Sequence, residues 1–280
     1  MDLVIAWIVS IIVSVAPVGR PQYVAEAKET DQETQARYES IAKDLIDVVY
    51  DPSEKPLYSG PMGRAKTVEV ILAIASFESG FRKDVDFGKG KFAKGDGGRS
   101  WCFMQVNLGQ AGANGKTTQR LIVNADGTFT FTTDPTKGFG GEDLVANRKS
   151  CFKAGLSIIR TSFNMCGPTD AKDKLMVYAS GACGKGQKES RLRMGLALRW
   201  MEQKPSPLDD AAVANLKKGP PPPTPKEEVA TTTEGSFVLP PIMLDQKPSG
   251  ALLFQGFKGV NLTQPLLKKE ASSLLWYADF

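Results

Sequence analysis

The sequence predicts a mainly α-helical α+β domain that carries one small β-hairpin and has long appendages at both ends. The chain has 280 residues, and at about 150 residues per domain this length allows one good-sized domain or two small ones. Residues 67–78 are helix-prone and apolar on nearly every side, and Asp126-Gly127 between alternating apolar residues is the strongest hairpin signal in the chain. We expect residues 55–204 to form the folded domain.

An almost unbroken apolar run occupies residues 3–19. Its length is at the lower edge of what a membrane-spanning helix needs. It makes a poor signal peptide, because Asp2 replaces the usual basic residues and cleavage after Ala16 would leave Pro17 at the new N-terminus. We expect residues 1–20 to be retained as a hydrophobic segment that inserts in a membrane or is buried against partner proteins. A core helix of the same chain is the less favoured alternative.

Residues 21–54 are charged and are expected to form a helical connector, since apolar residues recur at helical spacing: Tyr38, Ile41, Leu45, Val48 and Val49. Within the domain, an amphipathic helix is expected over residues 144–167 and a last helix over residues 186–204. Residues 205–250 include a run of four prolines and are predicted to be an extended, Pro-rich linker. Residues 251–280 regain hydrophobic side chains and are predicted to dock on another chain.

The composition excludes several chemistries. The sequence contains no histidine, so Ser-His-Asp triads, Cys-His pairs and histidine-ligated zinc are ruled out. The four cysteines form no C-x-x-C pair, and we predict neither a metal site nor a cofactor. Acid–base chemistry must then come from carboxylates, Lys, Tyr or Cys.

The middle of the chain is basic. Residues 61–204 carry 23 Lys and Arg against 13 Asp and Glu, and this excess favours an anionic partner. Patterns typical of specific nucleic-acid binding are missing, so an acidic polysaccharide or an anionic membrane surface fits better. A soluble domain that is merely basic is the simpler alternative.

Glu78 is the leading candidate for a catalytic acid. It stands at the C-terminal end of the apolar helix predicted at residues 67–78. Burial penalises its ionised form, and the negative end of the helix adds to that penalty. Both effects raise the pKa of Glu78 toward the value that a general acid needs. A glutamate that simply reaches water beyond its helix is the alternative.

Three short motifs follow one another along the domain: Glu78-Ser79, Cys102-Phe103-Met104-Gln105 and Tyr178-Ala179-Ser180-Gly181. In residue type, order and spacing they resemble the motifs of the soluble lytic transglycosylases, a family of the lysozyme-like superfamily. The resemblance covers about residues 65–203 and implies a lysozyme-like fold. Two positions depart from the family, because Cys102 stands where the family has Gly and Ala179 stands where it has Asn.

The resemblance implies that Glu78 is the single catalytic acid and base. It implies that Tyr178, also catalytic, is the tyrosine whose hydroxyl hydrogen-bonds that carboxylate. Ser79 is expected to support Glu78 or the substrate, Met104 to line the cleft and Gln105 to contact a sugar. Further substrate-binding residues are expected in or beside the same motifs: Asn107, Ser180 and Gly181.

The implied reaction is cleavage of the β-1,4 bond between N-acetylmuramic acid and N-acetylglucosamine in peptidoglycan, with a 1,6-anhydro product. A muramidase-type hydrolase is the alternative enzyme. It needs a second acid, for which Asp84, Asp86 and Asp96 are candidates, although loop aspartates commonly form turns. A non-catalytic structural protein with the same fold is the alternative outside enzymes.

A wall-degrading domain with these appendages fits a phage virion component that helps to penetrate the cell wall. Its partners would be peptidoglycan glycan strands and, through the N- and C-terminal segments, structural proteins of a large assembly. Membrane contact is left open. The alternative is a membrane-tethered enzyme of a secretion or conjugation machine, at the bacterial inner membrane or in the periplasm.

The cysteines allow two disulfides. If residues 151–166 form one helix, Cys151 and Cys166 lie about 22 Å apart and cannot pair with each other. Each can pair with Cys102 or Cys183, which leaves two connectivities. Disulfides would indicate that the enzyme works outside the cytoplasm. Four buried thiols are the alternative.

Overall fold

Helices dominate the structure and enclose one buried helix, Gly63–Glu78. The computed structural model describes residues 1–19, 28–90, 93–109, 119–167 and 169–218. All of these residues belong to one compact unit, Met1–Thr224. The helices are α1 (Asp2–Val15), α2 (Asp31–Val49), α3 (Gly63–Glu78), α4 (Lys83–Asp86), α5 (Gly141–Ala146), α6 (Arg148–Met165), α7 (Met176–Ser180), α8 (Gln187–Gln203) and α9 (Asp210–Lys218). The strands are β1 (Ser100–Trp101), β2 (Val106–Asn107), β3 (Arg120–Val123) and β4 (Phe129–Thr132). The mainly α-helical α+β class is confirmed.

Helix α3 is apolar on nearly every side, so nearly every side must be covered. Its five fully buried branched apolar side chains have no exposed surface: Val68, Val70, Ile71, Leu72 and Ile74. Helices α1, α2, α6, α8 and α9 all contact it. At its N-terminal end, the carboxylate of Asp210 accepts hydrogen bonds from the N–H groups of Arg64 and Ala65, at 2.8 and 3.3 Å. A negative charge at that position also complements the positive end of the helix.

Helix α1 belongs to the core of this chain. Ile8 and Ile12 are fully buried, and the helix contacts α2 and α3. The indole N–H of Trp7 donates to the carbonyl of Lys204 at 2.7 Å. The expectation that residues 1–20 insert in a membrane or are buried against partner proteins is therefore corrected. The prediction failed because an apolar run does not specify which surface covers it. None of the helices in the described ranges is both long and apolar enough to cross a membrane.

Helix α2 has the helical spacing that its sequence predicts. It begins with a capping box, in which the Thr30 hydroxyl accepts from the Glu33 N–H at 3.2 Å and the Glu33 carboxylate accepts from the Thr30 N–H at 2.7 Å. The residues expected on its apolar face are all buried: Tyr38, Ile41, Leu45, Val48 and Val49. The helix contacts α1, α3 and α6. Helix α2 is therefore part of the domain core and not a separate connector.

The strands of the described residues form two short antiparallel pairs. Strands β3 and β4 place Val123 opposite Phe129 around the turn at Asp126-Gly127, which confirms the predicted hairpin. Strands β1 and β2 pair across residues 102–105, so the second motif forms a tight turn between them. The two pairs give the domain its small β component.

Asn147 separates α5 from α6, whereas one helix was expected over residues 144–167. Its backbone is extended, and its side-chain Oδ1 accepts a hydrogen bond from the Lys149 N–H at 3.0 Å. Asn147 therefore acts as the N-cap of α6. Helix α8 agrees with the helix expected over residues 186–204.

Helix α9 lies inside the segment that was expected to be a linker. Its N–H at Asp210 donates to the carbonyl of Pro61 at 2.8 Å, and Val213 is fully buried. The linker prediction for residues 205–250 is therefore wrong at residues 210–218. The rest of that linker beyond residue 218, and the expected docking segment at residues 251–280, lie outside the described residues.

Two disulfides join α6 to its neighbours. Cys102–Cys151 connects the turn after β1 to α6, and Cys166–Cys183 connects the end of α6 to the loop after α7. This is one of the two connectivities that the sequence left open. Cys151 and Cys166 do not pair with each other, because α6 separates them.

The burial of α1 can be tested by comparing two substitutions on that helix. We expect Ile8→Ala to lower the free energy of unfolding by about 2–5 kcal/mol, because it leaves a cavity in the core. Leu3→Ala is the matched control, since Leu3 is 64% exposed and its loss should change the stability by no more than about 0.5 kcal/mol. Urea unfolding measures both. Equal stabilities of the two variants would contradict the packing of α1.

The two disulfides should differ in their contribution to stability. Their sequence separations are 49 residues for Cys102–Cys151 and 17 for Cys166–Cys183. Loop-closure entropy then predicts losses of about 4 and about 3 kcal/mol when each pair is replaced by serines. Urea unfolding of the two double variants, without reductant, checks the order. A larger loss for the shorter loop would contradict this account.

Candidate active site

Glu78 is the last residue of α3, and its carboxylate lies at the edge of the core. The helix ends there because Ser79 leaves helical geometry, and Gly80 and Phe81 have left-handed backbones with φ of 57° and 55°. The N–H groups of Ser79 and Gly80 both donate to the carbonyl of Ala75, at 2.9 and 3.1 Å. The side chain of Glu78 is 20% exposed, so it lies between the apolar interior and solvent.

An arginine that no sequence motif indicated holds Glu78. Nε and Nη2 of Arg193, on α8, donate to Oε1 of Glu78 at 3.1 and 2.6 Å. The guanidinium also lies 5.7 Å from the ring centroid of Phe77, within the range of a cation–π contact. The two ion-paired residues are 115 positions apart, and α8 carries several arginines, so no local pattern distinguishes this one.

The pKa of Glu78 is set by opposing effects. Burial raises the pKa of its carboxyl, the Arg193 guanidinium lowers it through charge and hydrogen bonding, and the negative charge of Asp96 raises it again. The net result is a pKa above the ordinary value for glutamate. A carboxyl with a raised pKa holds its proton closer to neutral pH, as a general acid must.

Tyr178, on α7, does not hydrogen-bond Glu78. Its hydroxyl donates to the backbone carbonyl of Met104, so the hydrogen bond to the Glu78 carboxylate that the family resemblance implied is not found. Burial raises the pKa of Tyr178 well above the ordinary value, and the charge of Glu78 raises it further. The charge of Glu78 therefore acts on Tyr178, and the hydroxyl proton of Tyr178 forms a hydrogen bond to the turn at residues 102–105.

The second motif has an internal role. The Met104 side chain is fully buried and packs against Gly155, so it does not line a cleft. The Gln105 amide accepts from the N–H of Gly95 at 2.9 Å and donates to the carbonyl of Cys102 at 3.0 Å. These bonds connect the loop before β1 to the turn after it. The Gln105 side chain therefore binds the backbone of its own chain, whereas a contact with a sugar was expected.

Ser79, Ser180 and Gly181 also form hydrogen bonds to the backbone. The Ser79 hydroxyl is buried and donates to the carbonyl of Ala75 at 2.8 Å, so it stabilises the end of α3 and does not face a substrate. The Ser180 hydroxyl donates to the carbonyl of Met176 at 2.9 Å, and Gly181 ends α7 with a left-handed φ of 76°. Both Ser180 and Gly181 are exposed.

Asp96 is the loop aspartate whose negative charge raises the pKa of Glu78. Asp84 and Asp86 are buried and pair with Arg82 and Arg148, respectively, which makes them structural. Asp96 is exposed and has a left-handed φ of 51°.

Asn107 takes part in holding Asp96. Oδ2 of Asp96 accepts from the Ser100 hydroxyl at 2.5 Å and from the Asn107 amide at 3.1 Å. The Asn107 amide oxygen accepts from the N–H of Gly109 at 2.8 Å. Asn107 is exposed, so among the expected substrate-binding residues it lies at the surface beside a carboxylate.

Among the described residues, Glu78 belongs neither to a group of metal ligands nor to the two best-defined surface cavities. Among the described side chains, no group of three or more Cys, Asp or Glu residues could hold a metal ion. Two surface cavities of about 490 and 320 Å³ have Asp47 and Lys217 in their linings, and neither includes Glu78. The site is therefore defined by Glu78, Arg193 and Asp96 themselves.

Comparisons of the chain with protein-family models, with curated proteins and with solved structures found no match.

The role of the Tyr178 hydroxyl can be tested with a pair of Tyr→Phe variants. Tyr178→Phe leaves the buried carbonyl of Met104 without its donor, so we expect a loss of about 1–3 kcal/mol in the free energy of unfolding. Tyr58→Phe is the control, because the Tyr58 hydroxyl is buried and has no hydrogen-bond partner among the described residues. Its removal should not destabilise the protein. Chemical denaturation of both variants gives the comparison, and equal losses would contradict the assigned bond.

Proposed function

We propose that this chain is a peptidoglycan lytic transglycosylase with a lysozyme-like domain, and that Glu78 is its single acid and base. The observation that carries the proposal is the state of Glu78, a carboxyl at the end of a buried helix with a pKa raised by burial. Among the described residues, no second carboxylate is hydrogen-bonded to it. A lone acid with a raised pKa is suited to give a proton in one step and take one in the next.

Contacts among the three motifs support the same proposal. The Tyr178 hydroxyl binds the Met104 carbonyl, and the charge of Glu78 acts on Tyr178, so motifs far apart in the chain lie together. Cys102 has a left-handed φ of 60°, a conformation that favours glycine. This agrees with the glycine that the family has at that position.

In the proposed reaction, protonated Glu78 gives its proton to the glycosidic oxygen as the bond from that oxygen to C1 breaks. The N-acetyl group of the muramic acid stabilises the positive charge at C1. The Glu78 carboxylate then takes the proton of the muramic 6-hydroxyl, whose oxygen bonds to C1 and gives the 1,6-anhydro product. Arg193 occupies Oε1, so we assign the proton to Oε2, which receives no hydrogen bond from the described residues.

A muramidase-type hydrolase is the second candidate, because Asp96 contributes to the raised pKa of Glu78. In that reaction the Asp96 carboxylate would hold the attacking water, and the product would have a reducing end. The two candidates share Glu78 as the acid. They differ in which oxygen reaches C1.

We also propose that the enzyme works outside the cytoplasm, where its substrate lies. The two disulfides support this location, because such bonds persist in oxidising compartments and are rare in the cytosol. A virion component is the favoured setting, and an enzyme of an envelope-bound secretion or conjugation machine is the alternative. Helix α1 favours neither setting, because its apolar side chains are buried in the chain's own core.

The catalytic role of Glu78 is tested with two Glu→Gln variants on the same helix. We expect Glu78→Gln to lower the rate of cleavage of purified peptidoglycan by at least about 10²–10⁴-fold, the usual effect of removing a general acid. Glu69→Gln should keep the wild-type rate. Glu69 is buried in α3 and burial raises its pKa to about 8, so a neutral glutamine resembles its state at pH 7.

Turbidity loss measures the rates, and mass spectrometry identifies the products. Anhydro ends indicate the transglycosylase, and reducing ends indicate the hydrolase. Equal lysis by Glu78→Gln and the wild-type protein would remove Glu78 from the mechanism. The absence of lysis by the wild-type protein would favour a non-catalytic structural role.

A further inference from the structure

Arg193 has hydrogen-bonding capacity that its contact with Glu78 does not use. A guanidinium carries five N–H donors in a planar fork, and Arg193 directs two of them, from Nε and Nη2, to the single oxygen Oε1. Arg–carboxylate pairs are frequently bidentate, with two parallel bonds to the two carboxylate oxygens. Among the described residues, no acceptor forms a hydrogen bond with Nη1 of Arg193. The edge between Nη1 and Nη2 is therefore available for a second anion.

The ion pair between Arg193 and Glu78 is partly exposed to solvent. The side chains of Arg193 and Glu78 are 13% and 20% exposed, so the pair is neither fully buried nor fully solvated. The other charged or titratable groups that act on Glu78 are Asp96 and Tyr178. Neither of them forms an ion pair with Arg193 in the described structure. Glu78 is thus the carboxylate that Arg193 neutralises.

We infer that the edge of Arg193 between Nη1 and Nη2 binds a carboxylate of the wall substrate, from a lactyl group or a stem peptide, while Nε and the other N–H of Nη2 keep their contacts with Glu78; this inference rests on the proposed function. The charge of the guanidinium is then shared between Glu78 and the substrate. Arg193 consequently holds Glu78 in its ionised form less strongly when an anionic strand is bound. Arg193 is a positioning and specificity residue, because it couples the binding of an anionic glycan to protonation of the acid.

An anionic strand bound to Arg193 should raise the pKa of Glu78. A positive charge within about 4–6 Å lowers the pKa of a carboxyl by about 1–3, so partial neutralisation of Arg193 raises the pKa of Glu78. A general acid must be protonated, and activity is therefore lost as the pH rises through that pKa. The alkaline limb of kcat reports the substrate complex, and that of kcat/KM reports the free enzyme. We expect the alkaline limb of kcat to lie at the higher pH.

The experiment compares soluble glycan strands that carry their peptides with the same strands after conversion of their carboxylates to methyl amides. The wild-type enzyme should cleave the anionic strands with a kcat/KM at least about tenfold higher, as expected for a hydrogen bond to a charged group. Arg193→Gln should cleave both substrates with equal kcat/KM, and its two alkaline limbs should coincide. Arg193→Lys should keep part of the preference, because a lysine retains the charge without the planar fork.

Arg191→Gln is the matched control. Arg191 lies on the same helix, is 53% exposed and pairs with Asp173, so its loss removes one positive charge without touching Glu78. This variant should keep the wild-type preference and the wild-type pH profiles. A loss of preference in both variants would show that the overall positive charge matters and would overturn a specific role for Arg193.

Binding is measured separately by calorimetry in the Glu78→Gln background, with a soluble strand fragment in its anionic and amidated forms. Adding Arg193→Gln should weaken binding of the anionic fragment about tenfold and leave the amidated fragment unchanged. Cleavage of both substrates by the wild-type enzyme at equal kcat/KM would overturn this inference alone. If neither cleavage nor binding is found, the proposed function and this inference both fail.

Discussion

The burial of helix α3 on nearly all its sides is the constraint on which the rest of the structure depends. An apolar helix of this kind is stable only when other elements exclude water from it, and α1, α2, α6, α8 and α9 do so. Its two ends meet charged groups. Asp210 binds the N–H groups at the start of the helix, and Arg193 binds Glu78 at its end. The elements that cover α3 therefore also determine where Glu78 lies and which side chains surround it.

The state of Glu78 is a compromise between desolvation and pairing. Burial alone favours the protonated carboxyl, whereas a nearby guanidinium alone favours the carboxylate. Burial is the larger effect here, and the negative charge of Asp96 adds to it, so the pKa lies above the ordinary value. The role of acid and base that we propose for Glu78 requires that neither form be held strongly. Arg193 opposes the effect of burial, because it lowers the pKa of Glu78.

A second group of charged side chains joins α2, α4 and α6. It shows why the role of an aspartate in a glycine-rich segment is hard to predict from the sequence. Arg148 donates to both oxygens of Asp86, at 3.0 and 2.9 Å, and also binds Asp44 on α2. Asp86 is thus structural, while Asp96, ten residues further along the chain, is exposed and acts on Glu78. In the sequence the two carboxylates occupy similar glycine-rich surroundings. Their roles differ because Asp86 pairs with Arg148, whereas the charge of Asp96 acts on Glu78; both partners are distant in the sequence.

Local patterns in the sequence were sufficient for the features that depend on near neighbours. The spacing of Tyr38 to Val49 defined the buried face of α2, Asp126-Gly127 marked the hairpin, and the length of α6 kept Cys151 from pairing with Cys166. Only the tertiary structure decided what covers α1, which arginine binds Glu78, and that the Tyr178 hydroxyl bonds the Met104 carbonyl. Such contacts form over about 3 Å between residues far apart in the chain. Their partners are fixed by the packing of whole helices, which no short stretch of sequence specifies.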